Sequence, residues 1–80
     1  MDPTNLIEMV NRIGEFFAAM PDRREALDGI ATHVRKFWAP RMRRQLFVQI
    51  DRGEATELAP LVREAILAHR DALEPRDVGA

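Results

Sequence analysis

The segment HVRKFWAPRMRRQL, residues 33–46, decides how the chain folds. Its first half continues a helical spacing of apolar residues, but Pro40 disfavours helical geometry at the residue before it. A helix is therefore predicted to end at Trp38 or Ala39. Proline is tolerated at the first position of a helix, so a new helix is predicted to begin at Pro40, and one kinked, continuous helix is the alternative. Both interpretations place a corner near residue 40.

Two helices are predicted before this corner, because apolar residues recur there at spacings of three and four. In the first helix, Asp2 can cap the amino terminus, Pro3 can occupy the first helical position, and Pro21 stops the helix. The second helix opens at Asp22, and Glu25 follows three residues later, as in an acidic variant of the capping box.

Apolar residues after the corner recur at the same helical spacing. Gly53 is predicted to close the third helix, polar residues 51–57 form the best candidate loop, and Pro60 suits the start of a fourth helix. No run of residues alternates with period two, so no strand is expected. The predicted fold is all-α, a small bundle of three or four short helices, with one domain over residues 2–73 and a flexible tail over residues 74–80.

Charge is unevenly distributed along the chain. Residues 1–30 contain three basic and six acidic residues, and residues 31–52 contain six basic residues and one acidic residue. Residues 53–80 again contain three basic and six acidic residues. The net charges are therefore −3, +5 and −3. The basic middle segment suits an acidic protein surface. Nucleic-acid binding is disfavoured, because the flanks are acidic and the pI of the whole chain is near 6.

Residue types that carry catalysis are scarce. The chain has no cysteine, serine or tyrosine, and its four glycines stand apart, so no glycine-rich phosphate loop exists. Thr32 and His33 are adjacent, so on a helix their side chains point about 100° apart. Neither His33 nor His69 has a metal-ligating residue three or four positions further on. The chain is therefore predicted to be no enzyme and to bind neither a metal nor a cofactor.

The basic segment instead has the composition of a protein-binding surface. Tryptophan, arginine and methionine are enriched in interface cores and binding hot spots, and the corner would present Trp38 and Arg41 at a defined angle. Phe37 is assigned to the core. Trp38, Arg41 and Met42 could equally be core or interface, and His33 could pack on Phe37 or hydrogen-bond a partner. The predicted partner-binding residues are His33, Arg35, Trp38, Pro40, Arg41, Met42 and Arg44.

Three blocks of the sequence resemble the delta subunit of soluble, NAD-dependent, molybdenum-containing formate dehydrogenases. These are LIEMVNRIGEFFAAMP (6–21), HVRKFWAPRMRRQL (33–46) and the weaker LAPLVREAI (58–66). The middle block is the discriminating one, with its pattern His-x-x-x-Phe-Trp-x-Pro-Arg-Met. The other two blocks by themselves would indicate only amphipathic helices.

The resemblance implies an accessory role. In the family, formate oxidation and NAD reduction belong to larger subunits that carry molybdopterin cofactor, iron–sulfur clusters and FMN, and the delta subunit supports assembly or stability of the complex. The implied partner is a larger subunit, the molybdenum-containing alpha subunit foremost. A transient maturation factor that assists insertion of the molybdenum cofactor is the alternative, and a small nucleic-acid-binding module is a weaker one. A cytoplasmic location without a membrane contact is expected.

Overall fold

The computed structural model describes residues 3–75, and the regular secondary structure of this part is all helical. The helices are α1 (Pro3–Ala18), α2 (Arg23–Phe37), α3 (Pro40–Asp51), α4 (Pro60–Ala68) and α5 (Arg70–Leu73). The predicted all-α fold is confirmed, and so is the proline corner, since α2 and α3 are separate helices on either side of it. Asp2, the predicted cap of α1, lies outside the described residues.

Local sequence signals explain most of the helix boundaries. Pro40 and Pro60 each begin a helix, where the missing N–H costs no intrahelical hydrogen bond. The Asp22 carboxylate caps α2 by accepting hydrogen bonds from the backbone N–H groups of Arg24 at 2.9 Å and Glu25 at 3.4 Å. Gly53 follows α3 with a φ of 73°, a conformation that favours glycine.

Two details of the helices differ from the prediction. Helix α2 ends at Phe37, because Trp38 and Ala39 already have extended backbones, with ψ of 130° and 149°. The predicted fourth helix is divided at His69, whose ψ is 23°, so that one helical turn, α5, follows α4. Of the predicted tail, Glu74 and Pro75 continue the chain after α5, and residues 76–80 lie outside the described part.

Helix α2 lies at the centre of the fold. It packs against α1, α4 and α5, and α1 also contacts α3 and α4. Apolar side chains from all five helices meet in one cluster, and their removal from water is the main stabilising term. The largest fully buried side chains are those of Leu6, Val10, Ile30, Val34, Leu46, Phe47, Val62, Ile66 and Leu73.

Two glycines allow helices to approach α1 closely. A Cβ atom at Gly14 would overlap the Cγ2 methyl of Val62 on α4, and a Cβ atom at Gly29 on α2 would overlap the ring of Phe17. Each glycine therefore supplies space that a neighbouring side chain occupies. The ring of Phe17 lies against the backbone of α2 for this reason.

Asn11 fixes the loop between α3 and α4 onto α1. Its side-chain NH₂ donates to the carbonyl oxygen of Glu57, and its side-chain oxygen accepts from the N–H of Ala59, both at 2.9 Å. One amide therefore satisfies a backbone acceptor and a backbone donor of a segment without regular secondary structure.

Arg70 connects the end of α3 to α5. Its guanidinium donates two hydrogen bonds to the Asp51 carboxylate, at 2.9 and 2.7 Å, and two to Glu74, at 2.8 and 3.0 Å. It also lies over the ring of Phe47, 4.8 Å from the centroid. These hydrogen bonds from Arg70 lower the pKa of both carboxyl groups and raise the pKa of the guanidinium itself.

Two further arginines are tied to backbone carbonyl groups. Arg43 donates to the carbonyl oxygen of Leu73 at 2.9 Å, and Arg63 donates to that of Ala55 at 2.8 Å. Arg43 therefore belongs to the framework that joins α3 to α5, although it lies within the basic segment. In the part of the chain that the structure describes, no helix has the length and apolar character needed to cross a bilayer.

Candidate partner-binding surface

Two pairs of adjacent aromatic residues are each divided between core and surface. Trp38 is buried, with 5% of its surface exposed, whereas Phe37 is 71% exposed. On α1, Phe17 packs against the core and Phe16 is 74% exposed. Adjacent helical residues point about 100° apart, and in each of these pairs one ring points toward the core and the other away from it. The fold therefore places one aromatic ring of each pair in solvent.

The exposed rings lie at two adjoining shallow depressions on α1 and α2. Phe16 lines one and Phe37 lines the other, and both depressions share Phe17 and His33, so together they form one groove. The short turn between these helices makes them an antiparallel pair, and the groove runs along their outer side. We call this surface the aromatic groove. Its lining comprises Arg12, Ile13, Phe16, Phe17, Asp28, Gly29, Thr32, His33, Lys36 and Phe37.

Ring contacts hold the aromatic side chains in defined positions along the groove. Phe16 and Phe17 meet edge to face, with centroids 5.1 Å apart and planes at 88°. His33 packs on Phe37, with centroids 4.8 Å apart. Both separations fall in the range that aromatic pairs prefer. The exposed rings of Phe16 and Phe37 are thus supported by a half-buried neighbour, Phe17 or His33.

Positive charge borders the groove on both sides. Arg12 lies on α1 and Lys36 on α2, and within residues 3–75 neither forms an ion pair. The single acidic residue of the lining, Asp28, accepts a hydrogen bond from the His69 ring at 3.0 Å when His69 carries the proton on Nε2. An apolar floor with cationic edges suits an apolar ligand surface that carries negative charge.

Phe37 lies outside the core, and Trp38 adopts the core position that was one of its two predicted alternatives. The assignment of Phe37 to the core is wrong, because the core line of α2 runs through Ile30, Val34 and then Trp38, at steps of four residues. Phe37 lies one residue short of that line and points toward the groove. Trp38, predicted to contact a partner, has its side chain inside this chain's own core.

His33 adopts the first of its two predicted arrangements, a half-buried side chain that packs on Phe37. It is the one member of the predicted partner-binding set that lines the aromatic groove. Arg35 lies on another side of α2, beside a depression that also contains His69 and Leu73. The predicted set is therefore divided around α2.

The remaining predicted residues lie at the start of α3. Pro40, Arg41 and Arg44 are exposed, whereas Met42 is half-buried and packs against the core. In the described part of the chain, Arg41 and Arg44 have no ion-pair partner. The corner thus presents two cations, with the tryptophan beneath rather than beside them.

Metal ligands do not converge in the described part of the chain, where no three His, Asp or Glu side chains lie close enough together to hold an ion. The polar depression near Glu8, Asn11 and Glu57 on the opposite side of α1 contains no basic group. Among the depressions described here, the aromatic groove is the one that combines exposed aromatic rings with cations that are unpaired among the described residues.

The aromatic groove was not predicted from the sequence, although one signal was present. The members of each aromatic pair, Phe16–Phe17 and Phe37–Trp38, point in directions about 100° apart, which favours different surroundings for the two rings. The sequence does not state that α1 and α2 bring the two exposed rings to the same groove. That proximity depends on the packing of the two helices.

Comparison with known proteins identifies the family. No curated protein and no solved structure gives a significant match. The model of the family described as NADH-dependent formate dehydrogenase delta subunit, FdsD, matches residues 5–66. The match covers α1 from Asn5 onward and all of α2 and α3, and it therefore includes every residue of the aromatic groove. The chain belongs to the FdsD family of NADH-dependent formate dehydrogenase delta subunits.

Proposed function

We propose that this chain is a non-catalytic accessory subunit, which binds the large catalytic subunit of a formate dehydrogenase and supports assembly or stability of the complex. Formate oxidation and NAD reduction would belong to the partner subunits in the cytoplasm, together with the molybdopterin cofactor, iron–sulfur clusters and FMN. This proposal refines the family assignment, which makes the chain a delta subunit of a formate dehydrogenase complex.

The observation that carries the proposal is the exposure of Phe16 and Phe37 on one groove. Two of the four phenylalanines leave more than 70% of their surface in solvent. A chain of this size has few apolar residues beyond those it needs for its core. Adjoining exposed apolar groups on a small soluble domain mark interaction sites. A protein partner that covers both rings would supply the missing burial.

Co-expression with the large subunit tests the proposal. The complex is purified from cells with and without this chain, and size-exclusion chromatography, subunit stoichiometry and formate-dependent NAD reduction are measured. The expected result is a stoichiometric small subunit in active enzyme, and a lower yield or thermal stability of the large subunit without it. Equal yield, stability and activity without the chain would overturn the proposal.

The same purification separates a permanent subunit from a maturation factor. If the chain is needed for molybdenum incorporation but is missing from the fully active, purified enzyme, it acts transiently and the accessory-subunit proposal is wrong. If it remains at one copy per large subunit after enzyme maturation, the accessory role stands.

A further inference from the structure

We propose that the aromatic groove receives an amphipathic helix of the large catalytic subunit, with acidic residues beside the apolar face of that helix. This inference rests on the proposed function and deepens it, since it assigns the docking surface and the chemistry of the partner segment. The shape of the groove, its exposed rings and its edge charges support this assignment.

The shape of the groove suits a helix. The groove lies between two antiparallel helices, so a third helix laid along it would complete a three-helix arrangement by ordinary side-chain packing. Helices that bind such grooves insert apolar side chains at spacings of three, four and seven residues. Phe16 and Phe37 would bracket that apolar stripe, with Phe17 and His33 between them.

The exposed rings supply anchors of the kind that dominate binding energy. Aromatic side chains lose little rotamer freedom when they are covered, because they have only two side-chain torsions. Here the positions of Phe16 and Phe37 are already restricted by contacts to Phe17 and His33. Such preorganisation lowers the entropy cost of binding.

The edge charges select an acidic partner. Arg12 and Lys36 lie on opposite sides of the groove without an ion pair within the described residues, while Asp28 is already engaged with His69. The exposed carboxylates of α1, Glu8 and Glu15, do not line the groove. A segment with carboxylates beside its apolar stripe would therefore meet two unpaired cations and a single carboxylate, Asp28, which pairs with His69.

A second copy of this chain fits the groove less well. In a two-fold interface the same patch faces itself, so the cations Arg12 and Lys36 would face a patch that carries the same two cations. Like charges brought together at an interface oppose association. The groove therefore favours a different chain, one whose charge is opposite.

Binding measurements with variants test the role of the groove. Phe16→Ala and Phe37→Ala should each weaken binding to the purified large subunit at least tenfold, equivalent to about 1.4 kcal/mol. Leu67→Ala is the matched control, since Leu67 is an exposed apolar residue on α4, outside the groove. Circular dichroism establishes that each variant retains its helices. If folded Phe16 and Phe37 variants bind as tightly as the wild-type chain, the inference is wrong.

Charge reversal tests the acidic character of the partner segment. Lys36→Glu should weaken binding several-fold at low salt, and the difference from the wild-type chain should shrink at high salt. Arg24→Glu is the control, because Arg24 is exposed on the same helix but does not line the groove. Equal effects of the two reversals, or tighter binding by Lys36→Glu, would contradict an acidic partner.

Photo-crosslinking identifies the occupant directly. A benzophenone amino acid is placed at position 37, and at position 67 as a control, in the full chain co-expressed with the large subunit. Position 37 should capture an amphipathic, acidic helix of the large subunit. Capture of a second copy, or of a basic or non-helical segment, would overturn the inference but leave the accessory role intact. If the wild-type chain itself does not bind the large subunit, the proposed function fails first.

Discussion

Phe47 and Phe37 show how differently two regions of the molecule use the same residue types. Phe47 on α3 is 2% exposed, and the guanidinium of Arg70 lies over its ring while bonding two carboxylates. Phe37 on α2 is 71% exposed, with only the half-buried His33 packed on its ring. The difference teaches that the ring of Phe47 is covered by contacts within the chain, whereas the ring of Phe37 is left mostly in solvent.

The basic residues divide in the same way. Arg43, Arg63 and Arg70 donate hydrogen bonds within the chain, while Arg12 and Lys36 at the groove form no ion pair among residues 3–75. Changes in the first region should therefore reduce the free energy of unfolding. Changes at the exposed groove residues Phe16, Lys36 and Phe37 should reduce binding and leave that free energy almost unchanged.

The largest expected effect comes from Trp38→Ala. Removal of this buried ring should lower the free energy of unfolding by about 3–5 kcal/mol, because a cavity forms at the end of the core line of α2. Urea unfolding followed by circular dichroism measures the change. If the alanine variant does not fold, Trp38→Phe, which leaves a smaller cavity, should fold with reduced stability. A wild-type unfolding curve for either variant would contradict the buried position of Trp38.

A second large effect is expected from Gly14→Ala. The added methyl group overlaps Val62 at the contact of α1 with α4, and overpacking of this kind costs about 1–3 kcal/mol. Alanine is also the better helix former, so the observed loss will be smaller by up to about 1 kcal/mol. The double variant Gly14→Ala with Val62→Ala is the control. Its loss in free energy of unfolding should be smaller than the sum of the losses of the two single variants. Strict additivity would show that the two residues do not touch.

Local sequence signals predicted much of the fold. Pro40 and Pro60 marked the starts of α3 and α4, and Asp22 marked the cap of α2, because each acts through its own backbone or nearest N–H groups. The break at His69 had no such signal, since neither glycine nor proline lies there. Its position follows from the packing of α5 against α2 and α4.

The candidate site was less predictable for a related reason. The residue types of Trp38 and Arg41 favoured them as partner-binding residues, but residue type does not determine which side of a helix faces the core. The core line through Ile30 and Val34 reaches Trp38 and leaves Phe37 outside. The groove further requires Phe16, which is distant in sequence and close only after α1 and α2 pack together.

A smaller effect, dependent on pH, is expected from Arg70→Gln. Hydrogen bonds from Arg70 lower the pKa of Asp51 and Glu74 in the folded chain. Near the ordinary carboxyl pKa of about 4, the unfolded chain therefore binds more protons than the folded chain does. The stability from these pairs is present above that pH and is lost as the pH falls through the lowered folded values. The effect should be modest, because the pairs are partly solvated.

Urea unfolding of the wild-type chain and the Arg70→Gln variant, from neutral pH down to about pH 2.5, measures this dependence. The stability difference between them should be greatest at neutral pH and should shrink in acid. Arg44→Gln serves as the control, since Arg44 is exposed and has no ion pair in the described part of the chain. If the stability difference between the wild-type chain and Arg70→Gln does not change with pH, it arises from the contact of Arg70 with Phe47 and not from the carboxylate pairs.

The smallest effect on stability is expected from Phe37→Ala, at the residue next to Trp38. Its ring is mostly in solvent, so the free energy of unfolding of the full chain should change by no more than about 0.5 kcal/mol. The same urea titration measures this variant beside Trp38→Ala. A loss comparable to that of the tryptophan variant would place Phe37 in the core and remove the main support for the groove. A negligible loss, together with weaker binding to the large subunit, means that the ring contributes its energy only when a partner covers it.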